Sequence, residues 1–220
     1  MLSLIGIGEG RRALDIGCAR GHLLGELENR GWKCIGIDTD ESDVAICNAH
    51  GLVALKCDIT TDSHTNLGLF DLVVLADVLE HVPDPLRVLR HVYSLLNPGA
   101  QIVVSVPNVA HISTRLQLLF GRFQYVERGI LDRTHLRFFT RRALIELLTD
   151  CNFDVQQMVS SAVPLEVVWP YLTRSKLGRM IVAVNDRLPD LWSGGFAYQY
   201  IVVATRNNES HSSAVTLPHG

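Results

Sequence analysis

Between Arg12 and Val106 five short apolar runs, "RALDIG", "CIGID", "ALKCD", "LVVLAD" and "QIVVSV", alternate with helix-forming stretches near Gly21–Arg30, Glu41–His50 and Pro85–Leu96. This alternation limits the possible folds more than any other feature of the chain. Apolar runs this short, without polar alternation, are strands buried on both faces, and their succession with helices makes them parallel. "NPGA" at Asn97–Ala100 predicts a turn that stops the third helix before a strand at Gln101. After Pro107 the pattern changes. Ala110–Phe120 places Ile112, Leu116, Leu119 and Phe120 on one helical stripe, and the irregular stretch "GRFQYVERGILDRTHLRFFT" follows. A helix begins near Arg141 with Leu144, Leu147 and Leu148 inward, and a helix around Ser175–Leu188 separates the strands "FDVQQMVS" and "AYQYIVVATR". The expectation is one α/β domain over residues 1–206, an insertion at about 107–140 covering a substrate, and a disordered polar tail over 207–220.

Composition narrows the class. A chain of 220 residues with 47% hydrophobic content can bury one sizeable core. A net charge of -3 carries no chain-wide nucleic-acid footprint. No apolar run approaches the ~20 residues that cross a bilayer, and "MLSLIGIG" is too short for a signal-peptide core. Cys18, Cys34, Cys47, Cys57 and Cys151 form no C-x-x-C pair, so reduced thiols in a cytoplasm are expected, without zinc. The chain starts about a dozen residues before its first strand, which predicts a lean cover over whatever the first turn binds.

That first turn lies in "ALDIGCARGHLLGEL", with Gly17, Gly21 and Gly25. A nicotinamide site wants G-x-G-x-x-G to receive a pyrophosphate. Here Cys18, Ala19 and Arg20 separate Gly17 from Gly21, and Asp15 ends the strand. A carboxylate at that place repels a diphosphate and attracts a cation. The second run ends in Asp38, placed to accept from two ribose hydroxyls, and the third in Asp58, placed to receive an adenine amino group. Each aspartate alone has a plain reading as a turn-former or helix cap. Three of them ending successive strands after a glycine turn are harder to explain that way.

With these residues the chain resembles the class I S-adenosylmethionine-dependent methyltransferases, over Arg12 to Arg206. "LDIGCARG" resembles the family's first motif, "GID" its ribose motif, "CDI" its adenine motif, and "FDLVVLADVLEHVPDPLRVLRHVYSLLNPGAQIVVSVPN" its fourth and fifth strands. The resemblance implies a Rossmann-like seven-stranded sheet, order 3-2-1-4-5-7-6, with an antiparallel seventh strand supplied by "AYQYIVVATR". It implies S-adenosylmethionine as cofactor, S-adenosylhomocysteine as product, and cofactor contacts from Asp15, Gly17, Cys18, Ala19, Gly21, Asp38, Thr39, Asp58, Ile59, Ala76 and Asp77. Ala19 stands where the family's turn has its middle glycine.

Methyl transfer to a hydroxyl needs a base, because neutral ROH is a weak nucleophile. Two clusters offer one. "ADVLEHVPDP" holds Asp77, Glu80 and His81 and resembles the ubiquinone-biosynthesis O-methyltransferases, where similarly placed residues have been linked to a divalent metal. Mg²⁺ at Asp77, Glu80 and His81 is one reading. The other, expected here, is that no metal binds and that Glu80 and His81 shape the helix start and cofactor wall, with His81 also a catalytic candidate. "GILDRTHLRFFT" holds Asp132 and His135, where a carboxylate beside an imidazole would raise its basicity and fix its tautomer. His135 is the expected base, with a structural loop histidine as the alternative.

The segment "PNVAHISTRLQLLFGRFQYVERGILDRTHLRFFT" resembles an insertion in bacterial methyltransferases that accompany glycosyltransferases, which implies O-methylation of a sugar or other small molecule. Pro107–Arg142 carries seven arginines against Glu127 and Asp132, whereas the first 106 residues carry 8 basic and 14 acidic groups. A basic cover over an acidic half suits an anionic acceptor, with His111, Arg115, Arg133 and Arg137 as its contacts. Phe120, Phe123, Phe138 and Phe139 are expected as the cover's own core. No nucleic acid or membrane partner is expected, and the chain is expected as a monomer or homodimer. One rival is a non-catalytic, cofactor-binding partner like a methionine-biosynthesis protein with a similar "PN…RLQLL" segment; others are N- or C-methylation of a small metabolite and, less favoured, an RNA methyltransferase.

Overall fold

The computed structural model describes residues 1–61, 67–169 and 171–207. The strands are β1 (Arg12–Ile16), β2 (Lys33–Asp38), β3 (Ala54–Lys56), β4 (Phe70–Ala76), β5 (Leu96–Pro107), β6 (Phe153–Ser161) and β7 (Gln199–Arg206). The helices are α1 (His22–Asn29), α2 (Glu41–Ala49), α3 (Pro85–Ser94), α4 (Ile112–Leu119), α5 (Arg141–Asp150), α6 (Leu165–Val168), α7 (Lys176–Leu191) and α8 (Ser193–Phe196). One sheet of order β3-β2-β1-β4-β5-β7-β6 runs through the molecule. β1 to β5 are mutually parallel, and β7 is antiparallel to both β5 and β6. Sheet order and strand directions match the expectation.

Both faces of the sheet are covered, which is why the central strands carry no polar alternation. On one face Leu14, Ile16, Leu75 and Val104 pack with Leu89 and Val92 of α3 and Leu144 and Leu148 of α5. On the other, Ala13, Leu72, Val74 and Val103 meet Leu24 and Leu27 of α1, with Trp32 and Ile5 closing the edge. Local chemistry sets the helix starts. Asp40 accepts from the Ser42 and Asp43 N–H groups at α2, Asp84 precedes a first-turn Pro85 at α3, and Thr140 and Ser175 cap α5 and α7. No helix among the described residues is long and apolar enough to cross a membrane.

One boundary and one helix face depart from the sequence reading. β5 begins at Leu96, because Leu96 pairs with Phe70 before Gln101 pairs with Leu72. Asn97–Ala100 is therefore an irregularity inside a strand, admitted by Gly99 at φ +73°, rather than the turn between helix and strand. The α4 stripe also points the wrong way for a core: Leu116, Leu119 and Phe120 are exposed. Of the four phenylalanines expected in the cover's core, only Phe139 is fully buried. Residues 208–220 of the expected tail lie outside the described residues.

Candidate active site

The carboxyl ends of β1, β2, β4 and β5 share one edge of the sheet. Because β7 is antiparallel, its first residue, Gln199, sits at that same edge, opposite Pro107. The turn after β1 is drawn against β2, since the N–H groups of Gly17 and Cys18 both donate to the Ile37 carbonyl, at 2.8 and 3.1 Å. Gly17 has φ +72°, and a Cβ there would stand 2.8 Å from Val78 Cγ2. Ala19 takes φ +44° despite its side chain. Its N–H donates to Asp38 Oδ2 at 2.8 Å, while Asp38 Oδ1 accepts from the Asp40 N–H at 2.9 Å. The carboxylate ending β2 thus holds the left-handed residue of the neighbouring turn.

A cleft of about 530 Å³ opens beside this turn, with Gly17, Asp38, Thr39, Asp58, Ile59 and Asp77 in its wall. An adjoining hollow is lined by Asp15, Gly17, Cys18, Ala19 and Ala76. Ten of the eleven residues expected around a cofactor therefore gather here. Gly21 does not line either space: at φ +78° it closes the turn against Cys47 and Leu52, where a Cβ would meet a side-chain atom at 2.6 Å. Asp58 Oδ1 accepts from the Thr60 N–H and hydroxyl at 2.8 and 2.6 Å, which fixes its side chain at the cleft wall.

Among the described residues the wall of the larger cleft holds no lysine or arginine, and the one guanidinium lining the adjoining hollow, that of Arg20, pairs with Asp43 at 3.3 Å. Asp15 is buried, and its Oδ2 has no hydrogen-bond partner among the described residues. Burial, and then the nearby Asp38 carboxylate, push its carboxyl up to about 7. This donor set fits a ligand with positive charge, hydroxyls and an amino group, and it disfavours a diphosphate.

A second chamber of about 230 Å³ adjoins the first, with Asp77 and His81 in the walls of both. Its other lining residues are Glu80, Pro107, Gly129, His135, Tyr198 and Gln199. Asp77 directly follows β4 at φ +56°, and its N–H faces the Ser105 carbonyl and hydroxyl oxygens at 3.2 and 3.1 Å. Its Oδ1 accepts from the Ser105 hydroxyl at 3.0 Å and from Gln199 Nε2. Glu80 is 1% exposed, and its carboxylate oxygens meet no hydrogen-bond partner on any other described residue; burial, with Asp77 adding to it and the residue's own backbone N–H partly opposing it, pushes the carboxyl up to about 8. Its backbone carbonyl accepts from the Leu136 and Arg137 N–H groups at 2.7 and 3.0 Å, tying the insertion to the end of β4.

Two imidazoles face each other in this chamber, ring centroids 4.9 Å apart and edge-on. Nδ1 of His81 lies 3.3 Å from the Thr134 carbonyl, and Nδ1 of His135 lies 3.1 Å from the Ile130 carbonyl. A carbonyl only accepts, so each Nδ1 carries the proton, and Nε2 is the basic nitrogen of each neutral ring.

Asp132 does not hold His135. Its Oδ1 accepts from the Thr134 N–H and hydroxyl at 2.8 and 2.7 Å, a local turn that takes the carboxylate away from the ring. The four expected acceptor contacts also lie outside the chamber wall. His111 caps α4, with Nδ1 2.8 Å from the Ser113 hydroxyl, and burial lowers its basicity. The Arg115 side chain donates to the Ala110 carbonyl and stacks over Trp192. Arg137 donates to the Pro83 carbonyl, and Arg133 is exposed. Among the described residues the donor atoms of Glu80, His81 and His135 lie within 4.8 Å of one another. A divalent cation would thus find His135 in the place that the sequence reading gave to Asp77, whose Oδ1 is already engaged.

Tyr198, Gln199 and Pro107 were not anticipated. The signal was present: an antiparallel last strand delivers its first residues to the edge where parallel strands end.

The sequence profile of the methyltransferase domain family matches residues 2–158. The chain is 37% identical over 107 residues to a ubiquinone biosynthesis O-methyltransferase of Marinobacter nauticus, covering 45% of each chain. It is 31% identical over 158 residues to a protein of the same name from Aeromonas salmonicida, covering 68% of this chain and 65% of that one. The matched part thus spans between about half and just under two thirds of the length of these two curated relatives. A solved SAM-dependent methyltransferase from Archaeoglobus fulgidus superposes with a TM-score of 0.65 at 22% identity, covering 93% of this chain and 90% of that one, a likeness of fold. With its glycine turn, its sheet order and a family match over most of its length, this chain belongs to the methyltransferase domain family and has the fold of the class I S-adenosylmethionine-dependent methyltransferases.

Proposed function

We propose that this protein transfers a methyl group from S-adenosylmethionine to a hydroxyl of a small molecule. The observation that carries the reading is the joining of two spaces: a carboxylate-walled cleft with no lysine or arginine among its described lining residues, and a small chamber with two imidazoles whose Nε2 atoms are basic. When bound, the cofactor supplies an electrophilic methyl group on a cationic sulfur. Asp38 accepts from the ribose hydroxyls, Asp58 from the adenine amino group, and the buried Asp15 carboxylate sits beside the cationic end. Gly17, Cys18, Ala19 and Ala76 let the ligand approach the backbone closely, and Thr39, Ile59 and Asp77 complete the wall.

His135 takes the proton from the acceptor hydroxyl through Nε2, its Nδ1–H held by the Ile130 carbonyl. His81, edge-on to His135 and on the wall of both spaces, orients the acceptor toward the methyl group. Asp132 acts on His135 only at a distance. No ion is required in this scheme. The acceptor is read as a sugar or glycan precursor, and the arginines outside the chamber suit an anionic part of it that remains near the entrance while a neutral hydroxyl enters.

The test is methyl transfer from labelled S-adenosylmethionine to a panel of free and phosphorylated sugars and phenols, with wild type and His135→Ala. The expected result is turnover by wild type and a loss of about a hundredfold or more in the variant, with cofactor affinity unchanged by calorimetry. Equal turnover by both removes His135 from the reaction. Turnover abolished by a chelator and restored by a divalent ion would make His135 a ligand instead of a base.

A further inference from the structure

α7 carries two apolar faces, and among the described residues the domain packs only one of them. Gly178, Val182 and Pro189 are buried against the rest of the chain, and Asn185 anchors this side by donating to the Val163 carbonyl at 2.8 Å. About a third of a turn away the helix leaves Leu177, Met180, Ile181, Val184 and Leu191 exposed, with Trp192 just beyond its end. Leu177 is 63% exposed, Val184 56% and Leu191 79%.

Leu177, Ile181, Val184, Leu188 and Leu191 follow one another at steps of four, three, four and three residues, the spacing of a seam that packs against a second helix. The stripe is also close to symmetric about Val184. Leucines lie seven residues before and after it (Leu177 and Leu191), and Met180 and Leu188 lie four before and after. A surface of that kind is self-complementary across a two-fold axis. The six exposed side chains leave roughly 700 Å² open, near the ~800 Å² that each partner contributes to a stable complex and beyond the apolar patch usual on a monomer.

We infer that α7 is the interface of a two-fold homodimer, in which α7 of a second copy packs antiparallel on this stripe with the two Val184 side chains meeting on the axis. Leu177 of each copy then packs against Leu191 of the other, and Met180 against Leu188. The aliphatic stem of Arg187, at the margin of the stripe, covers Ile181 of the other copy and keeps its charge in water. The inference is independent of the reaction, since none of these side chains lines either space of the candidate active site.

Sedimentation velocity over a dilution series tests it on the full chain. Wild type is expected to sediment as a dimer at micromolar concentration. Val184→Asp, which sets two carboxylates face to face on the axis, is expected to weaken association at least about a hundredfold while keeping the wild-type circular dichroism and cofactor affinity. As a second measurement, Val184→Cys is expected to form an intersubunit disulfide on mild oxidation, whereas Asp186→Cys, on another side of the helix, is not. A monomeric wild type, or Val184→Asp that dimerises as tightly as wild type, overturns the inference. So does a monomer that instead floats with anionic phosphatidylglycerol vesicles, because the stripe is then a membrane face.

Discussion

Asp15 offers the most direct test of how this site is built, because its carboxyl is held at about 7 by burial and by Asp38, against about 3.9 for an exposed aspartate. The folded state binds this proton more tightly than the unfolded chain does. Stability from this group is therefore fully present below the unfolded value and falls as pH rises toward the folded one. The slope is at most about 1.4 kcal/mol per pH unit, so about 4 kcal/mol is lost between pH 4 and pH 8, the last few tenths of it above pH 7. Asp15→Asn keeps the shape and removes the titration. Urea unfolding of both proteins without cofactor, at pH 5, 6, 7 and 8, should show the variant gaining on wild type by about 2 kcal/mol from pH 5 to pH 7 and by a few tenths more by pH 8. The same variant should bind the cationic cofactor more weakly, since the ionised carboxylate is then missing. A stability difference that does not change with pH, or a variant that falls behind wild type as pH rises, refutes the reasoning. Glu80 titrates in the same direction at about 8, but it is present in both proteins and cancels.

Glu80 has its own signature. As pH passes about 8 a second anion forms beside Asp77; wild-type kcat/KM is expected to fall there, and a Glu80→Gln profile that keeps the same fall would exonerate Glu80. Ala19 sits at φ +44°, so Ala19→Gly should raise stability by up to about 1 kcal/mol in thermal or urea unfolding; a loss would show that the side chain makes contacts worth more than the strain. Asp38→Ala removes the acceptor for the Ala19 and Asp40 N–H groups as well as the proposed ribose contact, and calorimetry should show cofactor affinity down by about tenfold or more.

Much of the cleft wall was legible because its signal is local. Asp15, Asp38 and Asp58 each lie at or just beyond a strand end, and a strand end is read from the apolar run before it. The second half depends on contacts that spacing does not reveal. Asp132 and His135 are three residues apart and looked like a pair, yet the carboxylate is captured by Thr134 and the imidazole by the Ile130 carbonyl. The arginines of the insertion suggested a basic cover, but backbone carbonyls of Ala110 and Pro83 absorb two of them. Helical periodicity correctly marked an apolar stripe on α4 and could not say which way it faced. Gln199 was missed because its place follows from the direction of β7 together with its register against β5, and the apolar run alone does not fix that register.

The antiparallel β7 lies between β5 and β6. When the chain is made from its N-terminus, β6 therefore has no sheet neighbour until β7 has been added, and β5 presents an unpaired edge for the same interval. Asp77 and Ser105 are synthesised long before Gln199, so the partition between the two spaces acquires its final hydrogen bond only when the last strand slots into place. Until that insertion the β5 edge of the nascent protein is open to pairing with other exposed strands.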